Sequence, residues 1–302
     1  MKRLRRASTS AAAVLVLTCL MDLPASAACP EGGVFKNLSY TSGDKGRHAL
    51  KQLDVYAGPG ISPRSPVVVY VHGGAWVGGD KAHVGDKPTF FNTRGYVFIS
   101  VNHRLTPKKN ARVDQEHPIH VSDVAQAVAW IHKNIASYCG APEKIVLMGH
   151  SAGAGIVSLL ATDPSHLREA GVDPSVIKGL VSNDTGAYDV TFQMTRGTAT
   201  ARRIYRRAFG KDPRKWAAAS ALRHARSQSG ASPPAALIIY RGWRGRRDMA
   251  ERFAEALERA GSEVTTFHAE GLTHREVDRR SSLAGDPIAE AILRLLEAAA
   301  EP

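Results

Sequence analysis

The sequence predicts an α/β architecture: a mostly parallel sheet of about eight strands, helices on both faces and a small helical lid. Three observations carry this. Short apolar runs rich in Val, Ile and aromatics, such as Val67–Val71 and Tyr96–Val101, have no polar face, as expected of central parallel strands covered on both sides. These runs alternate with helical patterns, which demands crossover connections. Gly149-His150-Ser151-Ala152-Gly153 stands between one such run and a helical pattern, where a strand turns sharply into a helix.

The elements follow in chain order. Val34–Tyr40 and Leu50–Tyr56 alternate apolar and polar residues, as half-buried antiparallel strands do. Val67–Val71 and Tyr96–Val101 flank a loop-plus-helix segment over 78–94. His117-Pro118 opens a long helix with Val121, Val124, Val128 and Ile131 on one face. A strand over Lys144–Met148, a helix over Ala154–Ala161 and a strand over Ile177–Ser182 come next. The rhythm then breaks. Residues 186–234 hold no clean strand, are punctuated by Asp212-Pro213 and Pro233-Pro234, and read as the inserted lid. Strands at Ala235–Tyr240 and Glu263–His268 and helices at Ala250–Ala260 and Ile288–Ala299 complete the domain.

Candidate chemistry sits at the ends of three strands. Gly149 and Gly153 flank Ser151 where a strained turn crowds the backbone and leaves room only for hydrogen. The turn lifts the Ser151 hydroxyl clear of the sheet. His72-Gly73-Gly74-Ala75-Trp76 follows Val67–Val71, and free N–H groups of Gly73 and Gly74, with that of Ala152, suit an oxyanion. Gly271-Leu272-Thr273-His274 follows the last strand and offers an imidazole. His72 is expected to hold the backbone of its own loop. His150, one residue off the nucleophile, is expected to point away from the Ser151 face. Trp76 is expected to wall a substrate pocket or to pack beneath its loop.

With these motifs in this order, the chain resembles the α/β-hydrolase superfamily from about Leu53 to the C-terminus. The likeness is to carboxylesterase-like members with an HGG-x-W loop, a group that includes feruloyl-esterase-like enzymes and kynurenine formamidases. It implies Ser151 as nucleophile, His274 as base, Gly73, Gly74 and Ala152 as oxyanion donors, a small-molecule ester as substrate, and no metal or organic cofactor. An arylformamidase-type amidase and a hydrolase-fold binding protein are the alternatives it leaves. The chain departs from the family at the third member of the triad. The acid usually follows the seventh strand, but here that stretch reads Tyr240-Arg241-Gly242-Trp243-Arg244-Gly245-Arg246-Arg247-Asp248. Asp248 is the nearby carboxylate and the first choice. Asp184, after the sixth strand, is the alternative.

The N-terminus reads as a secretory signal over 1–27: a basic start (Lys2, Arg3, Arg5, Arg6), an apolar core over Ala11–Leu20 and an Ala25-Ser26-Ala27 cleavage motif. The expectation is a secreted or periplasmic protein whose mature domain spans 28–302. A lipoprotein acylated at Cys29 is the less favoured variant, because Ser26 is not aliphatic. In an oxidising compartment Cys29 and Cys139 either pair or remain thiols. The formal net charge is +12, and the span Val190–Ser232 holds ten Lys or Arg against Asp212 alone. No nucleic-acid reading module accompanies that excess. It reads as a solvated arginine face or as a basic lid that meets anionic substrates or surfaces. His103, His117, His120, His132 and His268 lack metal-ligand spacing.

Overall fold

A computed structural model describes residues 33–41, 49–108, 112–227, 232–242 and 244–301. Eight strands form one sheet in the order β1-β2-β4-β3-β5-β6-β7-β8. β1 (Gly33–Ser39) and β2 (Gln52–Ala57) pair antiparallel, and β2 pairs antiparallel with β4 (Val97–Val101). From β4 onward every pairing is parallel, through β3 (Ser65–Val71), β5 (Gly140–His150), β6 (Ile177–Asn183), β7 (Ala235–Tyr240) and β8 (Val264–His268).

Helices cover both faces. On one side α2 (Ile119–Asn134) lays Val121, Val124, Val128 and Ile131 against Val55, Val69, Ile99 and Leu147. On the other, Phe90 and Phe91 of α1 (Lys87–Asn92) and Ile288 and Ile292 of α11 (Pro287–Ala300) pack with Tyr70, Phe98 and Val146. The continuous apolar strands thus spend both faces on core, as their composition predicts.

β2 corrects one expectation. Its alternation suggests a half-solvated strand, yet Leu53 through Ala57 are all buried. The polar position, Asp54, is buried because Lys81 Nζ lies 2.6 Å from its Oδ1. An alternating pattern therefore hides a second buried face that carries an ion pair rather than water.

Between β6 and β7 the chain forms α5 (Val190–Thr195), α6 (Ala199–Phe209), α7 (Pro213–Ala218) and α8 (Ala221–Ser227). Asp189, Thr198 and Asp212 cap the first three through side-chain bonds to Phe192, Ala201 and Arg214 N–H groups. α8 buries Ala221, Leu222 and Ala225 in the main core. Tyr205 and Phe209 of α6 pack edge-on against Trp76, at 5.3 and 4.9 Å between ring centroids. Cys139 is disulfide-bonded. Cys29, its candidate partner from the sequence, lies outside the described residues, as does the signal segment.

Candidate active site

Adjacent strands β3, β5, β6, β7 and β8 end on one rim of the sheet, which is where ligands meet open parallel sheets. At the end of β5, Ser151 sits at φ +56° just before α3 (Ala152–Thr162). The conformation is held because Ser151 N–H donates to the Asn183 carbonyl at 2.9 Å. Its glycine neighbours are sterically required. A Cβ on Gly153 would stand 2.1 Å from the Val71 carbonyl oxygen, and one on Gly149 would stand 2.5 Å from the Gly153 backbone. Helix α3 can approach the end of β3 only without those side chains. The first N–H of α3, that of Ala152, lies ahead of any intrahelical acceptor.

The loop after β3 comes up beside the serine. A Cβ on Gly73 would lie 3.0 Å from Ser151 Cβ, so the two backbones are in close approach. Gly74 takes φ +129°, with Ala75 and Trp76 also at positive φ. His72 Nδ1–H donates to the Gly73 carbonyl at 2.8 Å, fixing its own loop. Gly73, Gly74, Ser151 and Ala152 line one cavity of about 1070 Å³ together with Trp76 and His274. Trp76 lines the cavity and is buried against α6.

His274 is the first residue of α10 (His274–Arg280). That helix is absent from the sequence reading, although Thr273 and Glu276 form its capping box. Three contacts pin it to the sheet and to α1. Tyr70 hydroxyl donates to Asp278 Oδ1 at 2.9 Å, Lys87 Nζ lies 3.1 Å from the same oxygen, and Asn183 Nδ2–H donates to the Val277 carbonyl at 3.3 Å. His274 Nδ1 lies 2.5 Å from Asp184 Oδ2. A carboxylate only accepts, so Nδ1 carries a proton, which leaves Nε2 as the nitrogen that exchanges a proton with a reacting group.

Asp184 is fully buried and, like Ser151, lies at positive φ, +51°. Its N–H donates to the Ile239 carbonyl at 2.8 Å. Asp248, the carboxylate preferred from the sequence, is exposed on α9 (Arg244–Arg259) and does not line the cavity. The reason is local. α9 starts at Arg244, within four residues of the end of β7, and leaves no loop on which an acid could reach the imidazole. The residues in that place are basic. Arg241 Nε donates to Asp184 Oδ2 at 2.6 Å and Arg246 Nη1 to Asp184 Oδ1 at 2.7 Å. Burial pushes the Asp184 carboxyl up, but the bond from His274 and the charges of Arg246 and Arg241 outweigh it and hold it below the usual range.

His150 also differs from expectation. Its ring lies 4.4 Å from that of His274, its Nε2–H donates to the His274 carbonyl at 3.0 Å, and it lines the cavity. The residue turns toward the histidine because α10 closes over the end of β5. Burial is the main cause that lowers its pKa to about 4.

A family model described as BD-FAE matches residues 53–197, just under half the chain. Esterase LipQ of Mycobacterium tuberculosis is 26% identical over 272 residues, taking in 83% of this chain and 59% of that protein. The probable carboxylic ester hydrolase LipM of the same organism is 29% identical over 167 residues, 51% of this chain and 35% of that one. The chain is thus similar to carboxylesterase-like members of the α/β-hydrolase superfamily. It spans less than two thirds of either relative's length. A truncated carbohydrate esterase from gut microbiota superposes with a TM-score of 0.71 at 15% identity, over 91% of this chain and all of the other. Thermogutta terrifontis esterase 2, phosphonylated by sarin, gives 0.65 at 20% identity over 88% and 92%. At such identities the superpositions establish the α/β-hydrolase fold.

Proposed function

We propose that this chain is an exported serine hydrolase of small carboxylic esters, working through an acyl-enzyme. The observation that carries the reading is an imidazole, oriented by the buried Asp184, on the wall of the cavity that also holds Ser151 and the Gly73-Gly74 loop. Relatives named as esterases support it.

In this reading Ser151 Oγ attacks the ester carbonyl carbon as His274 Nε2 takes the hydroxyl proton. The oxygen of the tetrahedral intermediate is held by N–H groups of Gly73, Gly74 and Ala152. His274 then gives its proton to the leaving alcohol, the C–O bond breaks and an acyl-serine remains. Water, deprotonated by the same nitrogen, releases the acid and restores Ser151. Asp184 holds the tautomer and stabilises the imidazolium. Trp76 walls the pocket, and the helical segment between β6 and β7 acts as a lid.

Two experiments test this. A fluorophosphonate probe should label the protein and not its Ser151→Ala variant. 4-Nitrophenyl acetate should be turned over faster than N-formylkynurenine, and the reverse order would favour the amidase alternative. Export through cleavage after Ala27 is checked by N-terminal sequencing of protein recovered outside the cytoplasm.

A further inference from the structure

We propose that the cavity is built for esters that carry a carboxylate, held on the guanidinium of Arg246. The inference rests on the serine-hydrolase reading and adds the substrate's charge.

The starting observation is a charge imbalance. Asp184 is the sole anion bonded to both Arg241 and Arg246 among the described residues. One carboxylate against two guanidiniums leaves this unit one positive charge in excess, beside the imidazole that becomes cationic during reaction. The other charges at the cavity cancel once Lys87, which stands outside its lining, is counted with Asp278. Asp278 is paired with Lys87, and Asp80 and Glu276 stand against Arg275 and Arg279. Both of those acids are already engaged: Asp80 accepts from Ala82 N–H and Asn102 Nδ2, and Glu276 from Thr273 N–H. The surplus is therefore local.

Arg246 is the half of the pair that meets the cavity. Its side chain is 39% exposed and lines the cavity, whereas Arg241 does not line it. Both of its bonds, to Asp184 Oδ1 and to the Asp184 carbonyl, run through Nη1. Nε and Nη2 keep donors free for a second planar acceptor. A guanidinium anchored on one edge has lost much of its rotamer freedom, so little ordering remains when it grips a ligand. A fork of N–H donors matches a carboxylate in two bonds. The bound anion would also neutralise the surplus charge, so that the imidazolium forms beside a balanced unit.

Matched pairs of substrates test this at low ionic strength. In the first, 4-acetoxyphenylacetate and 4-acetoxyphenylacetamide differ in a charge on the alcohol side. In the second, mono-4-nitrophenyl adipate and its terminal amide differ on the acyl side. The anionic member of at least one pair should show about ten-fold higher kcat/KM, the scale of one charge-assisted contact that is partly screened. Arg246→Gln should bring that ratio to within about two-fold of unity. General damage to the triad slows both members and cancels in the ratio. Phenylacetate should also inhibit the wild type competitively and more tightly than phenylacetamide, a reading that needs no variant.

Ratios near one in both pairs, or a preference that survives Arg246→Gln and falls instead in Arg275→Gln/Arg279→Gln, overturn the anion subsite. In that case labelling by fluorophosphonate and turnover of the neutral esters leave the hydrolase reading standing. Absence of labelling and of all turnover in folded protein overturns both.

Discussion

Replacing Asp184 by Asn keeps the shape of the side chain and removes its charge, and the structure sets how much this should cost. An imidazolium and a carboxylate about 4 Å apart attract by about 4 kcal/mol at an effective dielectric constant of about 20. Arg241 and Arg246 share that carboxylate at 2.6 and 2.7 Å. Each guanidinium, taken at about 6 Å from the ring, returns about 3 kcal/mol of repulsion on the same scale, so the two together offset that attraction. The field at His274 is therefore largely cancelled before the mutation, and what Asp184 supplies is chiefly the tautomer. In a serine-protease triad the change to an amide loses about 10⁴ in kcat because it forces the wrong tautomer. Here the loss in kcat should be of the same order, about 10³ to 10⁴, or about 4 to 5.5 kcal/mol of barrier. The assay is 4-nitrophenyl acetate turnover by wild type, Asp184→Asn and Asp248→Asn, with thermal melts to show that each variant is folded. Asp248→Asn should stay within about two-fold of wild type, since its side chain is exposed on α9. A folded Asp184→Asn that keeps a third or more of the rate, or an Asp248→Asn that loses more than it does, would refute the assignment.

Other outcomes follow from neighbouring contacts. His150→Phe keeps a ring against His274 but deletes the bond to its carbonyl, so kcat should fall about three- to ten-fold with KM nearly unchanged, in steady-state assays. Gly153→Ala places a methyl 2.1 Å from the Val71 carbonyl and should destabilise by about 1–3 kcal/mol, read as a lowered urea midpoint. Burial holds His150 neutral down to pH about 4 and His103 and His117 down to about 3, and it also lowers His72 and His120. The unfolded chain binds these protons near pH 6.5 while the folded chain does not. Stability should therefore be level above about pH 7 and fall from about 6.5 toward 4, by about 1.4 kcal/mol per pH unit for each of His150, His103 and His117, with His72 and His120 adding in the same direction. Urea unfolding at pH 7.5, 6 and 5 checks this, and a constant stability over that range would count against this set of neutral imidazoles. Asp184 adds nothing in that window. Its folded pKa is lowered, so its contribution is present above the usual carboxylate range and is lost only as pH falls through the folded value.

The parts of this molecule that were legible in the sequence are those set by neighbours along the chain. Val67–Val71 is a strand because each residue is apolar and β-branched or aromatic. Gly149 and Gly153 mark the elbow because a backbone is within 2.5 Å of where their side chains would be. Asp212-Pro213, which punctuates the inserted stretch, opens α7. What was not legible depends on chains meeting across the sheet rim. Asp184 stands only as the alternative to Asp248 until β6 is placed between β5 and β7, which sets its carboxylate against the head of α10. His150 reads as off the Ser151 face until α10 closes over it. A signal for the acid was nonetheless present. The stretch where the family carries its aspartate instead holds Arg241, Arg244, Arg246 and Arg247. Two of those four guanidiniums meet at one buried oxygen pair, and cations drawn together at low dielectric require an anion from elsewhere in the chain. Asp248 could not be that anion, because it rides on the same helix as Arg246 and is exposed. The arginines after β7 thus pointed to a carboxylate on the adjacent strand end, and in carrying one more charge than that carboxylate they leave a place for the substrate's own.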